Sequence, residues 1–217
     1  MAQAYATVTV RLVPQSFFSQ QQVRADQLRV LSGSLTGNPD GSITVNTARL
    51  RTVLDKPLPA VKSINIRFRI LGDSPTVKPD SDGVTRKGVT LWANVLNACN
   101  LDFLSCRTDS REVSGTIVVE AQSQINPLVT GPIDNAQLNS CAGLGYTPPL
   151  KTVSNIDIMD GSWHSFRIDR IGKGYGLYLD GQFMVATVPP RDPILFDTGL
   201  YGLRTDNVNI QLVVTVE

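Results

Sequence analysis

Residues Ser63 to Ile70 alternate without a break. Ile64, Ile66, Phe68 and Ile70 fall on one side, and Ser63, Asn65, Arg67 and Arg69 on the other. That is the period of a strand with one face in a core and one toward solvent. The same rhythm recurs in Val8, Val10 and Leu12, in Ile43 and Val45 beyond the turn-like Asn38-Pro39-Asp40-Gly41, in Val89, Leu91, Ala93 and Val95, and in Val208, Ile210, Leu212, Val214 and Val216. No segment has a comparable helical period. The pattern predicts an all-β chain of antiparallel strands, with Ile64, Ile66, Phe68, Phe166, Ile168, Leu177, Leu179, Ile210 and Leu212 in the core.

Asp160 to Gly181, DGSWHSFRIDRIGKGYGLYLDG, holds the sharpest local signals. Two amphipathic strands flank a glycine-rich turn, and the second runs into Asp180-Gly181, a pair that tolerates the positive φ angles of a tight hairpin. Trp163 differs in parity from Phe166, which places it at a sheet edge unless a bulge intervenes. The order Asp-Gly-x-Trp-His, Arg-bearing strand, glycine turn, Leu-Tyr-Leu-Asp-Gly resembles the laminin-G-like branch of the concanavalin A-like lectin/glucanase superfamily. Gly199 to Val214, GLYGLRTDNVNIQLVV, is similar to closing strands of related domains. The resemblance implies a jelly-roll β-sandwich and no single activity, since one fold carries many functions.

Two stretches interrupt the strands. Gly72 to Gly88 and Asn126 to Leu150 are rich in turn-forming residues and read as exposed insertion loops, the kind of segment that carries binding or assembly contacts. Residues 28–217 are expected to form one lectin-like sandwich domain, and residues 1–27 an extra edge strand or an arm for assembly.

At 217 residues and 41% hydrophobic content the chain can bury a sizeable core, and its formal charge of +1 gives no reason to expect nucleic acid. No apolar run is long enough to span a bilayer, and Met1 to Val10 lacks the pattern of a secretion signal. Cys99, Cys106 and Cys141 allow one internal disulfide in three possible pairings, and their spacing, with His164 the single histidine, is poor for zinc. Asp80-Ser81-Asp82-Gly83 reads as turn chemistry rather than a calcium loop. No cofactor or metal is expected.

Glycosidases of the resembled superfamily generally carry Glu, Asp and Glu at alternate strand positions, which aims nucleophile and acid at one groove. Here Glu112, Glu120 and Glu217 are far apart, and Asp157 and Asp160 sit in a turn. No catalytic residue is therefore expected. Ligand-binding candidates follow from strand parity. Trp92 and Tyr178 each oppose an apolar row, and aromatic faces beside Asn65, Arg67 and Arg167 suit sugar rings. The expected function is a non-catalytic lectin-like sandwich for surface attachment with a glycan or surface receptor as partner, at a virion or extracellular surface. The alternatives are a self-assembling structural subunit of a virion or filament (coat, decoration or tail) and a glycoside hydrolase relative.

Overall fold

The computed structural model describes residues 20–58, 61–97, 99–126, 129, 133–141, 149–172, 174–187 and 199–217. Among these there are 13 strands: β1 (Gln21–Val23), β2 (Leu28–Ser32), β3 (Thr36–Gly37), β4 (Ile43–Leu54), β5 (Ser63–Asp73), β6 (Arg86–Asn97), β7 (Asn100–Asp109), β8 (Ile117–Ile125), β9 (Leu150–Ser154), β10 (His164–Ile171), β11 (Gly174–Leu179), β12 (Gln182–Thr187) and β13 (Gly202–Val216). One helical turn precedes β2, and one short helix, α1 (Asn135–Ser140), lies between β8 and β9. All strand pairs are antiparallel, in the order β12-β11-β10-β5-β13-β6-β7-β8-β9, with β4 and β1 also on β13. The chain is an all-β jelly-roll sandwich.

The long last strand joins the two layers. Gly202 to Asp206 pair with β6, whereas Val208 to Val216 pair with β5. The switch falls at Asn207, whose φ of 54° lies in the left-handed region that asparagine tolerates better than most residues. Its side chain secures the bend, with Nδ2 donating to the carbonyls of Lys78 and Arg86, both at 2.9 Å. Inward parity changes there, from Leu203 and Thr205 to Val208, Ile210 and Leu212, all buried. At the far ends the layers meet again, where Thr152 Oγ1 of β9 donates to the Met184 carbonyl of β12 at 2.7 Å.

Burial follows the alternation in the sequence. Ile64, Ile66, Phe68 and Ile70 are buried while Asn65, Arg67 and Arg69 face outward, and the nine residues expected in the core are all buried there. Full burial of a side chain such as Phe68 or Phe166 contributes roughly 1.5–3 kcal/mol. Asp180 and Gly181 take φ of 50° and 80° between β11 and β12, the hairpin their sequence predicts.

Val8, Val10 and Leu12 lie outside the described residues. Gln21–Val23 of the expected arm pairs with β13 of its own chain. The first insertion is shorter than its turn residues suggest, because β5 runs to Asp73 and β6 starts at Arg86. The second, far from standing free, supplies buried residues: Ile133, Leu138 and Cys141 pack on the outer side of the β4-β6-β7 layer, and Cys141 forms a disulfide with Cys99. Cys106 is a free thiol in the core, and burial pushes its pKa up. Among the described residues no helix is long and apolar enough to cross a membrane.

Candidate functional site

Each layer of the sandwich has an outer face, and the sequence candidates divide between them. On the β4-β13-β6-β7-β8 layer, strand register aligns Arg51, Arg204, Thr90, Ser105 and Glu120 in one transverse row. Arg49, Asp206, Gly88 and Arg107 form the next row. The loop before β6 lays Asp80 and Asp82 over them. Asp80 binds Arg49, Arg86 (2.7 Å) and Arg204 (3.1 Å), Asp206 binds Arg49 (3.0 Å) and Arg204 (2.7 Å), and Glu120 binds Arg107.

Burial alone would raise the pKa of Asp206, but Arg204, Arg49 and Arg107 outweigh it and hold the carboxyl below the usual range. Hydrogen bonds from Arg86 take Asp82 down to about 2. Burial beside Arg204 and Arg49 lowers Arg51 to about 10. The Asp80-Ser81-Asp82 turn is thus engaged by arginine. Among the described residues no group of three or more His, Cys, Asp or Glu side chains is arranged to hold a metal ion.

Trp92 lies on this same face, as its parity predicts, yet it is only 1% exposed. The expectation that it offers an open ring to a ligand is corrected by the segment that covers it. Asp134 caps α1 by accepting from the Gln137 amide at 2.7 Å, which turns Leu138 down onto the layer. Arg51 Nη1 donates to Asn135 and Asn139 Oδ1, both at 2.8 Å, and Gln124 Nε2 donates to the Cys141 carbonyl at 2.6 Å. Under this strap Trp92 meets Phe103 edge-on, with ring centroids 6.4 Å apart. Gly202 is its neighbour on β13, where a Cβ would lie 2.9 Å from the indole, so only glycine lets the ring settle.

The other four candidates come together on the outer face of the β12-β11-β10-β5 layer. Register sets Phe183, Tyr178, Arg167 and Asn65 side by side across four strands. The Arg167 guanidinium lies 4.3 Å over the Tyr178 ring, and Phe183 meets that ring edge-on at 5.5 Å. Arg67 is one step along β5, and Ser165 beside it donates to Asn65 Oδ1 at 2.7 Å. Asn65, Ser165, Arg167, Asp169, Tyr178 and Thr215 line an open groove of about 650 Å³.

Two aromatics of this face escaped the sequence reading as site residues. Phe183 is 53% exposed and Trp163 is 39% exposed, with the guanidinium groups of Arg67 and Arg69 at 5.3 and 5.2 Å from the Trp163 ring. The signal for Trp163 was its parity, shared with Arg167. For Phe183 the signal is its place opposite Tyr178 across the Asp180-Gly181 hairpin.

The loop bearing Trp163 is fixed from below. His164 Nδ1 lies 2.9 Å from Asp180 Oδ2, and Nε2 lies 3.1 Å from Asp160 Oδ1. Burial would lower the imidazole pKa, but the flanking Asp180 and Asp160 carboxylates outweigh it and raise it. Asp157 and Asp160 also cap their turn, accepting from the amides of Met159 (2.8 Å) and Ser162 (2.7 Å).

No family sequence model matches the chain, and no curated protein matches it in sequence. Solved structures do match. A carbohydrate-binding module of type CBM66 from Bacillus subtilis superposes with a TM-score of 0.54 at 12% identity, over 86% of this chain and 91% of the module. The transglycosylase Crh5 superposes with a TM-score of 0.50 at 14% identity, over 92% and 84% of the two chains. A laminarinase from Flavobacterium sp. UMI-01 gives 0.50 at 9% identity, over 89% and 94%. At such identities the likeness is one of fold, a concanavalin A-like jelly roll.

Proposed function

We propose that this chain is a non-catalytic, lectin-like sandwich that binds carbohydrate on the outer face of the β12-β11-β10-β5 layer. The observation that carries the reading is the convergence there of three partly exposed aromatic rings, Trp163, Tyr178 and Phe183, with Arg67, Arg167 and Asn65. Aromatic faces pack on the apolar C–H patches of a sugar while fixed hydrogen-bonding groups read its hydroxyls. The similarity in fold to a carbohydrate-binding module supports the same reading.

The carboxylates favour binding over hydrolysis. A glycosidase needs one carboxyl with a raised pKa as acid and a second across the scissile bond. Glu120 is paired with Arg107, Glu112 with Lys151 at 2.5 Å, and Glu217 accepts from Gln20. Glu120 and Glu112 both border Lys151, the first as its cross-strand partner and the second as its ion pair, while Glu217 follows β13. The shifted carboxyls Asp82, Asp109 and Asp206 move downward.

A glycan array followed by calorimetry on the best sugar tests the proposal. Trp163→Ala and Tyr178→Ala are each expected to weaken binding by about 1 kcal/mol or more while leaving thermal stability nearly unchanged. Sugar release from an array ligand, or binding untouched by both variants, would refute it.

A further inference from the structure

Arg67 and Arg69 differ from Arg49, Arg86, Arg107 and Arg204 of the opposite layer, each of which meets a carboxylate. Among the described residues neither is in an ion pair. The Arg69 guanidinium donates to the neutral Gln211 Oε1 at 3.1 and 2.8 Å, and the Arg67 guanidinium donates to no acceptor among the described residues. The two side chains leave β5 on the same side, two residues apart, and both lie against the ring of Trp163. Holding two cations against one indole costs repulsion unless an anion joins them.

The carboxylates nearby are engaged elsewhere. Asp160 and Asp180 flank His164, and Asp169 accepts from Ser63 and pairs with Arg167 at 3.1 Å. Arginine's planar fork of N–H donors matches a carboxylate or sulfate in two parallel hydrogen bonds, and among the described residues the donors of Arg67 meet no acceptor. Trp163 precedes Arg167 by four residues on the same face, a span of about 13 Å at roughly 3.3 Å per residue. An oligosaccharide that extends about 13 Å beyond Tyr178 and Phe183 along the strands also reaches the arginine pair.

We infer that the ligand is an anionic glycan, whose carboxylate or sulfate group is held by Arg67 and Arg69 beside Trp163 while its neutral rings lie along Tyr178 and Phe183. The inference rests on the carbohydrate reading above and adds the substrate class to it. Gln211 orients Arg69, leaving Arg67 as the group free to close on the anion.

The test uses matched pairs that share a backbone and differ in charge, measured by calorimetry on the full chain. Polygalacturonate and its methyl ester examine the carboxylate, dextran sulfate and dextran examine the sulfate, and poly-glutamate is the polyanion without sugar. The charged member of at least one pair is expected to bind at least tenfold more tightly than its neutral partner, and the pair that responds identifies the anion. Arg67→Gln and Arg69→Gln should each remove about tenfold of that affinity. Arg67→Lys should recover only part of it, since an ammonium lacks the fork. For the neutral partners the loss in these variants should be several-fold smaller than for the charged ones. Equal affinity for charged and neutral partners would overturn the anionic assignment and leave a neutral-sugar site standing. Poly-glutamate binding as tightly as the sugars, with Trp163→Ala without effect, would overturn it as a mere charged patch. No binding to these polymers or to any arrayed glycan would fell the carbohydrate reading itself.

Discussion

The two outer faces of this sandwich are built from the same residue types and do opposite things with them. On the β4-β13-β6-β7-β8 layer, Arg49, Arg86, Arg107 and Arg204 each meet a carboxylate, and the aromatic pair Trp92 and Phe103 is sealed beneath a disulfide-anchored helix. On the β12-β11-β10-β5 layer, Arg67 and Arg69 have no carboxylate partner among the described residues, and the Trp163 ring against them is open to solvent. Arginines matched by acid within the fold have little charge left for a ligand, whereas unmatched arginines beside exposed rings keep both charge and stacking surface. What separates the structural face from the proposed binding face is the cover laid over the former and the carboxylates that the cover brings.

The two tryptophans offer the largest lever on that difference. Trp92→Ala should empty a packed site under the strap and cost about 3–5 kcal/mol in denaturant unfolding, with no change in the affinity of the folded protein for glycan. Trp92→Phe should cost much less, because among the described residues the indole N–H has no acceptor to lose. A Trp92→Ala protein as stable as the native one, or one that has lost glycan affinity, would erase the distinction between the faces.

A smaller effect is expected from His164, which sits between Asp160 and Asp180 with the Phe68 ring 5.8 Å away. Its pKa is raised by folding, so its contribution to stability is full below the unfolded value of about 6.5 and is lost as pH rises through the folded value. Native protein should lose thermal stability relative to His164→Gln as pH rises from about 6 to 8.5. A gap between the two that stays constant or widens with pH would show that the imidazole does not clamp the Trp163 loop through its charge.

Much of the fold was legible in period-two patterning. The inward row of β5 and the Asp180-Gly181 hairpin are local properties, set by alternation and by backbone freedom at two residues. Parity also put Asn65, Arg67, Arg167 and Tyr178 outward, and register made them neighbours. Trp92 shows where such reasoning stops. Parity gave it the correct face, but its cover comes from Ile133, Leu138 and Cys141, some forty residues along in a stretch whose prolines and glycines suggest an exposed loop. The arginine–carboxylate network was equally hidden, since it joins Asp80 to Arg49 and Arg204 across distances that no local spacing encodes.

The most direct measurement exploits the fact that the chain has two tryptophans, one on each face. In an amide correlation NMR spectrum each indole N–H gives its own resonance, assigned with Trp92→Phe and Trp163→Phe. On titration with the bound glycan the Trp163 resonance should shift with the binding curve while that of Trp92 stays in place. A shift of Trp92 with Trp163 unmoved would put the ligand on the opposite layer and contradict the account.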